Sequence, residues 1–335
     1  PNRILMAPLT RCRASADNIS TDLMATHYAQ RASAGLLIAE ATMAIEGNSA
    51  FWHEPGIHNA AQVAGWKKVT AAVHKAGGRI VLQLWHVGRI SHPSYLNGEL
   101  PVAPSAIAAE GHVSLIRPMK PYVVPRALEL EELPAIIEAY RKGAENAKKA
   151  GFDGVEIHAA NGYLLDQFLQ STTNRRTDEY GGVIENRARL LLEATDAAIS
   201  VWGAGRVGVH LAPRGDSHTM GDHDPEATFG YVAKELGKRG IAFIFTREHF
   251  NAPALTPQLK QSFGGTVIVN EQLTRESAQA LLNAGIADAA AWGKQFIANP
   301  DLVARLQENG PFNELRTDVM YGGGETGYTD YPALG

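Results

Sequence analysis

The sequence predicts an α/β fold, a (β/α)8 TIM barrel, and three observations support this prediction. Eight short runs rich in Val, Ile, Leu and Ala recur along the chain, and most are followed by a longer segment of helical periodicity. The runs are almost continuously apolar, which is typical of parallel strands buried on both faces. No Pro/Ser-rich linker divides the 335 residues. One barrel is therefore favoured over two doubly wound domains, which the length alone also permits.

The predicted elements follow one another in strand-then-helix order. The strands are expected at residues 3–9, 36–42, 79–85, 154–160, 206–212, 241–246, 266–270 and 288–293. The first clear helix begins after Asn59, with Gln62 as the second half of a capping box, and ends at Gly77. Four further helices are expected at residues 132–151, 185–201, 226–240 and 274–285.

A long insertion, residues 87–130, follows the third strand and contains several prolines. We expect it to cap the C-terminal mouth of the barrel, where sites are built in this fold. Residues 1–335 are predicted to form a single barrel domain. Pro1 has no preceding Met and no apolar signal core follows it, so we expect a missing N-terminal segment rather than a secretory leader.

The composition excludes several functional classes. The net charge of −4, from 31 Lys and Arg against 35 Asp and Glu, offers no basic surface for nucleic acid or an anionic membrane. No run approaches the roughly 18 apolar residues of a membrane span. The single cysteine, Cys12, excludes an intrachain disulfide and fits a reducing compartment. We therefore expect a cytoplasmic protein, a monomer or a homodimer, with a small-molecule substrate.

Polar residues at the C-terminal ends of the strands are the candidates for chemistry. The sequence has no serine nucleophile motif, and no two carboxylates fall at neighbouring strand ends, so hydrolysis is not indicated. The Thr, Gln, His, Asn and Lys found there suit a large planar ligand that carries a phosphate. Lys294 beside Gly293, after strand eight, matches the usual phosphate position of such barrels. Flavin mononucleotide (FMN) is a ligand of this kind.

Three residues after strand four suggest how a substrate would be activated. His158 and Asn161 are close enough in sequence to donate hydrogen bonds to one carbonyl or nitro oxygen. Such donors stabilise the negative charge that develops when hydride adds at the β-carbon of an activated alkene. The phenol of Tyr163 could then deliver a proton to the α-carbon.

Several motifs together extend over essentially the whole chain. They are Ala7-Pro8-Leu9-Thr10-Arg11, Glu40-Ala41-Thr42, Gln83-Leu84-Trp85-His86, His158-x-x-Asn161-Gly162-Tyr163, Asn174-x-Arg176-x-Asp178-x-Tyr180-Gly181-Gly182 and Gly327-Tyr328-Thr329-Asp330-Tyr331-Pro332. This combination resembles the old yellow enzyme family, and is most similar to its N-ethylmaleimide reductase and xenobiotic reductase branches.

The resemblance implies an FMN-dependent ene-reductase. In such an enzyme NADPH or NADH reduces the flavin and leaves, and an activated alkene, a nitro compound or a nitrate ester then takes the hydride in a ping-pong cycle. His158 and Asn161 would bind the substrate oxygen and Tyr163 would donate the proton. Phe51, Trp85 and Tyr321 would shape the substrate pocket. The cofactor would be held by Pro8, Leu9, Thr10, Ala41, Gln83, His210, Asn270, Glu271, Gln272, Gly293 and Lys294.

The sequence departs from the family pattern at the flavin site. His210 stands where many members carry an Arg beside flavin N1, so a protonated His210 or Arg214 would have to supply that positive charge. Residues 270–272 replace a glycine-rich segment at the phosphate. Lys294 replaces an Arg and gives up bidentate phosphate contact.

Two other functions stay open at this point. One is a metal-dependent TIM-barrel hydrolase or lyase, and the other is a flavin-binding or storage protein without turnover. A storage protein needs no donors above the flavin ring, so His158, Asn161 and Tyr163 argue against it. The hypothesis of a metal-dependent enzyme is based on a loop after strand five that contains Asp216, His218, Asp222, His223 and Asp224.

Overall fold

The computed structural model describes residues 2–214, 217–250 and 253–334. Eight parallel strands close into a barrel in which each strand pairs with its neighbours in the chain and β1 pairs with β8. This confirms the predicted fold. The strands are β1 (Ile4–Met6), β2 (Leu36–Met43), β3 (Ile80–Trp85), β4 (Val155–Ala159), β5 (Val207–Leu211), β6 (Phe243–Arg247), β7 (Thr266–Asn270) and β8 (Ala289–Trp292).

Helices cover the outside of the barrel, and the five predicted ones are confirmed with small shifts at their ends. Short helices that the sequence did not predict occur as well, and one of them, α4, is buried at every residue and so lacks an amphipathic pattern. The helices are α1 (Asp22–Gln30), α2 (Ala60–Lys75), α3 (Leu133–Lys149), α4 (Leu164–Leu169), α5 (Ile184–Trp202), α6 (Pro225–Arg239), α7 (Thr256–Phe263), α8 (Arg275–Asn283), α9 (Lys294–Ala298) and α10 (Leu302–Glu308).

The start of α2 follows the prediction only in part. The Asn59 side chain accepts a hydrogen bond from the Gln62 N–H at 3.0 Å, as an N-cap should. The Gln62 carboxamide oxygen, however, accepts from the N–H of His58 at 2.9 Å. The predicted capping box is therefore wrong in one hydrogen bond, because the Gln62 side chain accepts from the N–H of His58 and not from that of Asn59.

The lower part of the barrel interior is filled by apolar side chains. Leu5, Ile38, Val81, Phe243 and Phe245 belong to one buried cluster inside the strands. Such packing closes the barrel from below, as in other barrels of this type. Polar side chains that point inward from the upper ends of the strands therefore face the C-terminal mouth.

The insertion after β3 contacts residues at this mouth. It holds a short parallel pair, Val102–Ala103 with Arg126–Ala127, and an apolar cluster of its own against which Tyr163 packs. Arg89, at the beginning of the insertion, donates a hydrogen bond to the carbonyl of His218 at 2.9 Å. The insertion is thus joined to the loop after β5.

The C-terminal segment is anchored to the other side of the mouth. Tyr328 is fully buried and its ring stacks on that of His27 with centroids 3.9 Å apart. Arg11 donates to the carbonyl of Gly327 at 2.7 Å. These contacts bring Tyr321 to the rim of the barrel. None of the helices in the described ranges is long and apolar enough to cross a membrane.

Candidate active site

A cavity of about 660 Å³ opens at the C-terminal ends of the strands. This volume lies within the range of about 300–1,000 Å³ that small-molecule sites occupy. Of the predicted cofactor residues, Thr10, Ala41 and Gln83 are not part of its described wall, although Ala41 packs nearby against Trp85. The predicted residues that do line the cavity are Pro8, Leu9, Asn161, Tyr163, His210, Asn270, Glu271, Gln272, Gly293 and Lys294.

Two stacked imidazoles lie at the mouth of the barrel. β4 and β5 pair His158 with His210, and the two rings are nearly parallel with centroids 5.2 Å apart. Within the described residues, His158 Nδ1 and His210 Nε2 are buried without a hydrogen-bond partner. Burial lowers the pKa of His158 to about 3 and that of His210 well below its ordinary value. Both imidazoles are therefore neutral near pH 7.

The tautomer of His210 is fixed by Gln83. The Gln83 Nε2 group donates to Glu156 Oε2 at 2.7 Å and to His210 Nδ1 at 3.1 Å. Because an amide nitrogen only donates, Nδ1 must be the acceptor, and the His210 proton lies on Nε2. His210 thus offers a buried N–H to a ligand, and the lowered pKa of its imidazole does not support the alternative of a protonated His210.

Arg214 is also not the missing cation. Its guanidinium lies 3.5 Å from the buried carboxylate of Glu248, and its side chain is 41% exposed. Arg214 does not belong to the wall of the cavity as the described residues define it. The Arg214 alternative is therefore not supported.

The carboxyl group of Glu156 gives the folded protein a specific pH dependence. Burial raises its pKa from 4.5 to about 8. A raised folded-state pKa means that its contribution to stability is complete below the unfolded pKa and is lost as pH rises through the folded one. We expect Glu156→Gln, which keeps an acceptor for Gln83, to reduce the fall in unfolding free energy between about pH 5 and pH 9 by at least about 1 kcal/mol. Urea unfolding of FMN-free protein measures this, and parallel wild-type and variant curves would contradict it.

Asn161 is held by neighbours from two other elements. It has a left-handed backbone with φ of 59°. Its carbonyl accepts from His218 Nδ1 at 2.7 Å, and its side-chain Oδ1 accepts from Arg247 Nη1 at 2.9 Å. Neither contact with Asn161 was predicted from the sequence, in which His218 was considered only as a metal ligand. Arg247 directly follows the predicted end of strand six, and applying the strand-end rule there would have identified it.

The predicted pocket aromatics form one continuous group with Tyr163. Tyr163 lies edge-on to Trp85 with centroids 4.9 Å apart, and Phe51 is near-parallel to Trp85 at 6.2 Å and to Tyr321 at 6.4 Å. The Glu54 carboxylate accepts from the Phe51 N–H at 3.2 Å and so orients this loop. Burial raises the pKa of Tyr163 above its ordinary value of 10.0, so the phenol stays protonated and able to donate.

The residues after β7 and β8 have a backbone suited to an anion. Glu271 and Gln272 have φ values of 103° and 50°, in the region that favours glycine. They therefore keep a glycine-like conformation at a cost of about 1–3 kcal/mol for a strained residue, and turns of this kind can direct N–H groups at a phosphate. A Cβ on Gly293 would lie 2.7 Å from Leu9 Cδ1, so a larger residue there would displace the end of the Leu9 side chain.

Three of the candidate metal ligands in the loop after β5, Asp222, Asp224 and His218, have protein partners. Asp222 lies 3.4 Å from the guanidinium of Arg187, Asp224 caps α6, and His218 donates to a backbone carbonyl. Asp216 lies outside the described residues. No group of three or more His, Cys, Asp or Glu in the described ranges could hold a metal ion. The metal-dependent alternative is not favoured.

The structure is a TIM barrel with a ligand-sized cavity at the C-terminal ends of its strands. Residues 1–313 match the NADH:flavin oxidoreductase / NADH oxidase family. The chain belongs to this family and is an oxidoreductase of the old yellow enzyme type.

Individual relatives agree with this assignment. A probable flavin mononucleotide-dependent alkene reductase of Leishmania infantum is 44% identical over 342 residues, covering 99% of this chain and 94% of the relative. The old yellow enzyme homologue of Zymomonas mobilis superposes with a TM-score of 0.96 at 45% identity, covering 99% and 96% of the two chains. Morphinone reductase in complex with tetrahydroNAD gives 0.96 at 48% identity, covering 100% and 94%.

Proposed function

We propose that this protein is an FMN-dependent reductase that uses NADH or NADPH to reduce activated alkenes. The observation that carries the proposal is the neutral imidazole of His158, whose Nδ1 is buried without a protein partner and whose ring lies 5.0 Å from that of Tyr163. Unpartnered buried polar atoms are costly, and a ligand that brings a polar group to His158 would offset that cost.

The residues at the mouth fit FMN. When bound, FMN would accept a hydride from the nicotinamide and supply it from its N5 atom to the alkene. The His210 Nε2–H would donate to an acceptor of the flavin ring. The Gln83 amide NH2 group donates both its hydrogens to protein groups, and its carboxamide oxygen, which has no hydrogen bond within the described residues, would accept from a ring N–H. Gly293 and Lys294 would hold the phosphate, and the other cofactor residues that line the cavity are Pro8, Leu9, Asn270, Glu271 and Gln272. Thr10 and Ala41 are assigned to the cofactor from the family resemblance alone.

The chain's own groups would activate the alkene through its oxygen. The N–H of neutral His158 and the amide of Asn161 would donate to a carbonyl or nitro oxygen, and they gain strength as negative charge develops there. Tyr163 would give its proton to the α-carbon. Since its phenol is protonated near pH 7, it needs no prior activation.

The substrate class follows from this donor set. α,β-Unsaturated carbonyls, maleimides and nitroalkenes each place an acceptor oxygen in conjugation with the double bond. Nitro compounds and nitrate esters fit less directly but share the oxygen. A relative named as an alkene reductase and a neighbour named morphinone reductase support the alkene assignment. We also propose a cytoplasmic location, on the ground that Cys12 is a free, buried thiol.

Separate half-reactions test the proposal. Under anaerobic conditions NADPH or NADH should bleach the flavin of the holoenzyme, and a following addition of an enone or N-ethylmaleimide should restore it. A ping-pong order also requires that the oxidised nicotinamide leave before the alkene binds. A flavin that is bleached by neither nicotinamide, or that no activated alkene reoxidises, would contradict the proposal and favour a storage protein.

Lys294 provides a test of the phosphate end. Its side chain lines the cavity at the start of α9. We expect Lys294→Ala to weaken FMN binding by about three- to thirtyfold, because a single partly exposed charge contact contributes on the order of 1 kcal/mol. Lys294→Arg should retain the affinity and add a second phosphate contact. Fluorescence titration of FMN measures both variants, and an unchanged Kd in Lys294→Ala would exclude this role.

A further inference from the structure

We propose that Arg247 is a positioning residue that orients the Asn161 carboxamide, so that its NH2 group faces the substrate oxygen. This inference rests on the proposed function and adds a residue to it. It starts from the 2.9 Å hydrogen bond between Arg247 Nη1 and Asn161 Oδ1. A guanidinium can only donate hydrogen bonds, so it cannot accept one from the NH2 group of the Asn161 side chain.

The orientation of this amide decides whether Asn161 helps or hinders. The oxygen and nitrogen of a carboxamide are nearly equal in size, so packing alone distinguishes the two orientations poorly. With Oδ1 on Arg247, Nδ2 is turned away from it and can donate to an acceptor oxygen. In the reversed orientation Oδ1 would meet the substrate oxygen and the two would repel each other.

Hydrogen bonds fix the backbone around Asn161, so only the orientation of its side-chain amide depends on Arg247. Its carbonyl is fixed by His218 Nδ1 at 2.7 Å, and the following Gly162 N–H donates to Asp166 Oδ2 at 2.9 Å. These two hydrogen bonds hold the turn in place, and neither involves Arg247. Removing the guanidinium should change the amide orientation rather than the fold of the turn.

Arg247 is itself held in place. Its Nη1 also donates to Ser217 Oγ at 3.1 Å, and its Nε pairs with the carboxylate of Glu271. In the strand pairing Arg247 lies opposite Asn270, two residues beyond Phe245, so its side chain enters the barrel on the same side as the Phe245 ring. The side chain is 27% exposed, which leaves the guanidinium largely shielded from water.

The positive charge of Arg247 also acts on the neighbouring imidazoles. It contributes to the lowered pKa values of His158 and His210, after the larger effect of burial. Arg247 therefore favours the neutral state of His158 at the same time as it orients Asn161. The amide orientation selects a substrate that presents a hydrogen-bond acceptor.

A double-mutant cycle on FMN-loaded protein tests the inference. The readout is the Kd of phenol, whose oxygen would accept from His158 and Asn161, followed by the absorbance of the flavin. We expect Arg247→Met to weaken phenol binding about tenfold in the wild-type background, the effect of one hydrogen bond of about 1.4 kcal/mol. In the Asn161→Ala background the same change should cost less than about twofold, because its target is absent.

Control variants separate orientation from charge. Arg247→Lys keeps a donor-only group and should recover part of the affinity, whereas Arg214→Met removes the same charge from the neighbouring strand end and should leave the phenol Kd unchanged. Equal losses in both Asn161 backgrounds would overturn the inference, since Arg247 would then act without Asn161. A wild-type holoenzyme that binds no phenol would overturn the proposed function and the inference together.

Discussion

Replacing both His158 and Asn161 with alanine is expected to slow hydride transfer to an enone by at least about 10³, because loss of one oxyanion donor alone costs about 10²–10³. His158 is neutral and its Nδ1 lacks a protein partner in the described structure, while Asn161 is oriented by Arg247. Each of the two side chains can therefore donate a hydrogen bond to a substrate oxygen. The reoxidation rate of reduced flavin by the enone in anaerobic stopped flow gives the result.

The other half of the cycle serves as the control for this variant. FMN binding and flavin reduction by NADPH should change by much less than hydride transfer to the enone, since the residues assigned to the cofactor are retained. Phenol should bind far more weakly than to wild-type protein. His112→Ala, at an exposed position of the insertion, should behave as wild type. Unaltered phenol titrations in the double variant would refute the assigned roles.

Tyr163→Phe is expected to slow the same half-reaction by about 10²–10⁴, the usual contribution of a positioned proton donor. The pKa of Tyr163 is raised by burial, so the native phenol carries its proton throughout the neutral range. Phenylalanine keeps the contacts with Trp85 and with the apolar cluster of the insertion. The loss should therefore appear in proton delivery and leave the unfolding free energy nearly unchanged.

The substrate panel sharpens the Tyr163 prediction. Weak electrophiles such as simple enones should be affected most, because they depend on the proton to complete the reaction. Nitroalkenes, which hold negative charge well on the nitro group, should be affected least. Reduction of the flavin by NADPH should be spared. Equal slowing of both half-reactions would show that Tyr163 acts on the cofactor and not on proton transfer.

The fold was predictable because burial leaves a simple trace in the sequence. Strands buried on both faces appear as short continuous apolar runs, and the long helices outside them carry one apolar face. Helix α4 escaped prediction because all six of its residues are buried, which removes the helical periodicity. The hydrogen bond from Gln62 to the start of α2 was predicted incorrectly because its side chain extends one residue further towards the N-terminus than a capping box requires.

The candidate site could be predicted as a set of residues but not as a set of charge states. Strand ends and motif likeness brought together most of the groups that line the cavity. His210 is neutral because the closed barrel buries it, and its tautomer depends on Gln83, which comes from another strand and is separated from it by over a hundred residues. Arg247 shows the same limit, since its partner Asn161 lies 86 positions away. Such contacts form only when the barrel closes.

A crystal structure of FMN-reconstituted protein would show directly whether FMN binds at the barrel mouth. We expect one FMN per chain in the cavity at the C-terminal ends of the strands. Its ring should lie within hydrogen-bond distance of His210 Nε2 and beneath His158 and Asn161, and its phosphate should lie beside Gly293 and Lys294. Protein that takes up no FMN, or that binds it away from His210 and His158, would contradict the proposed function and support the barrel fold alone.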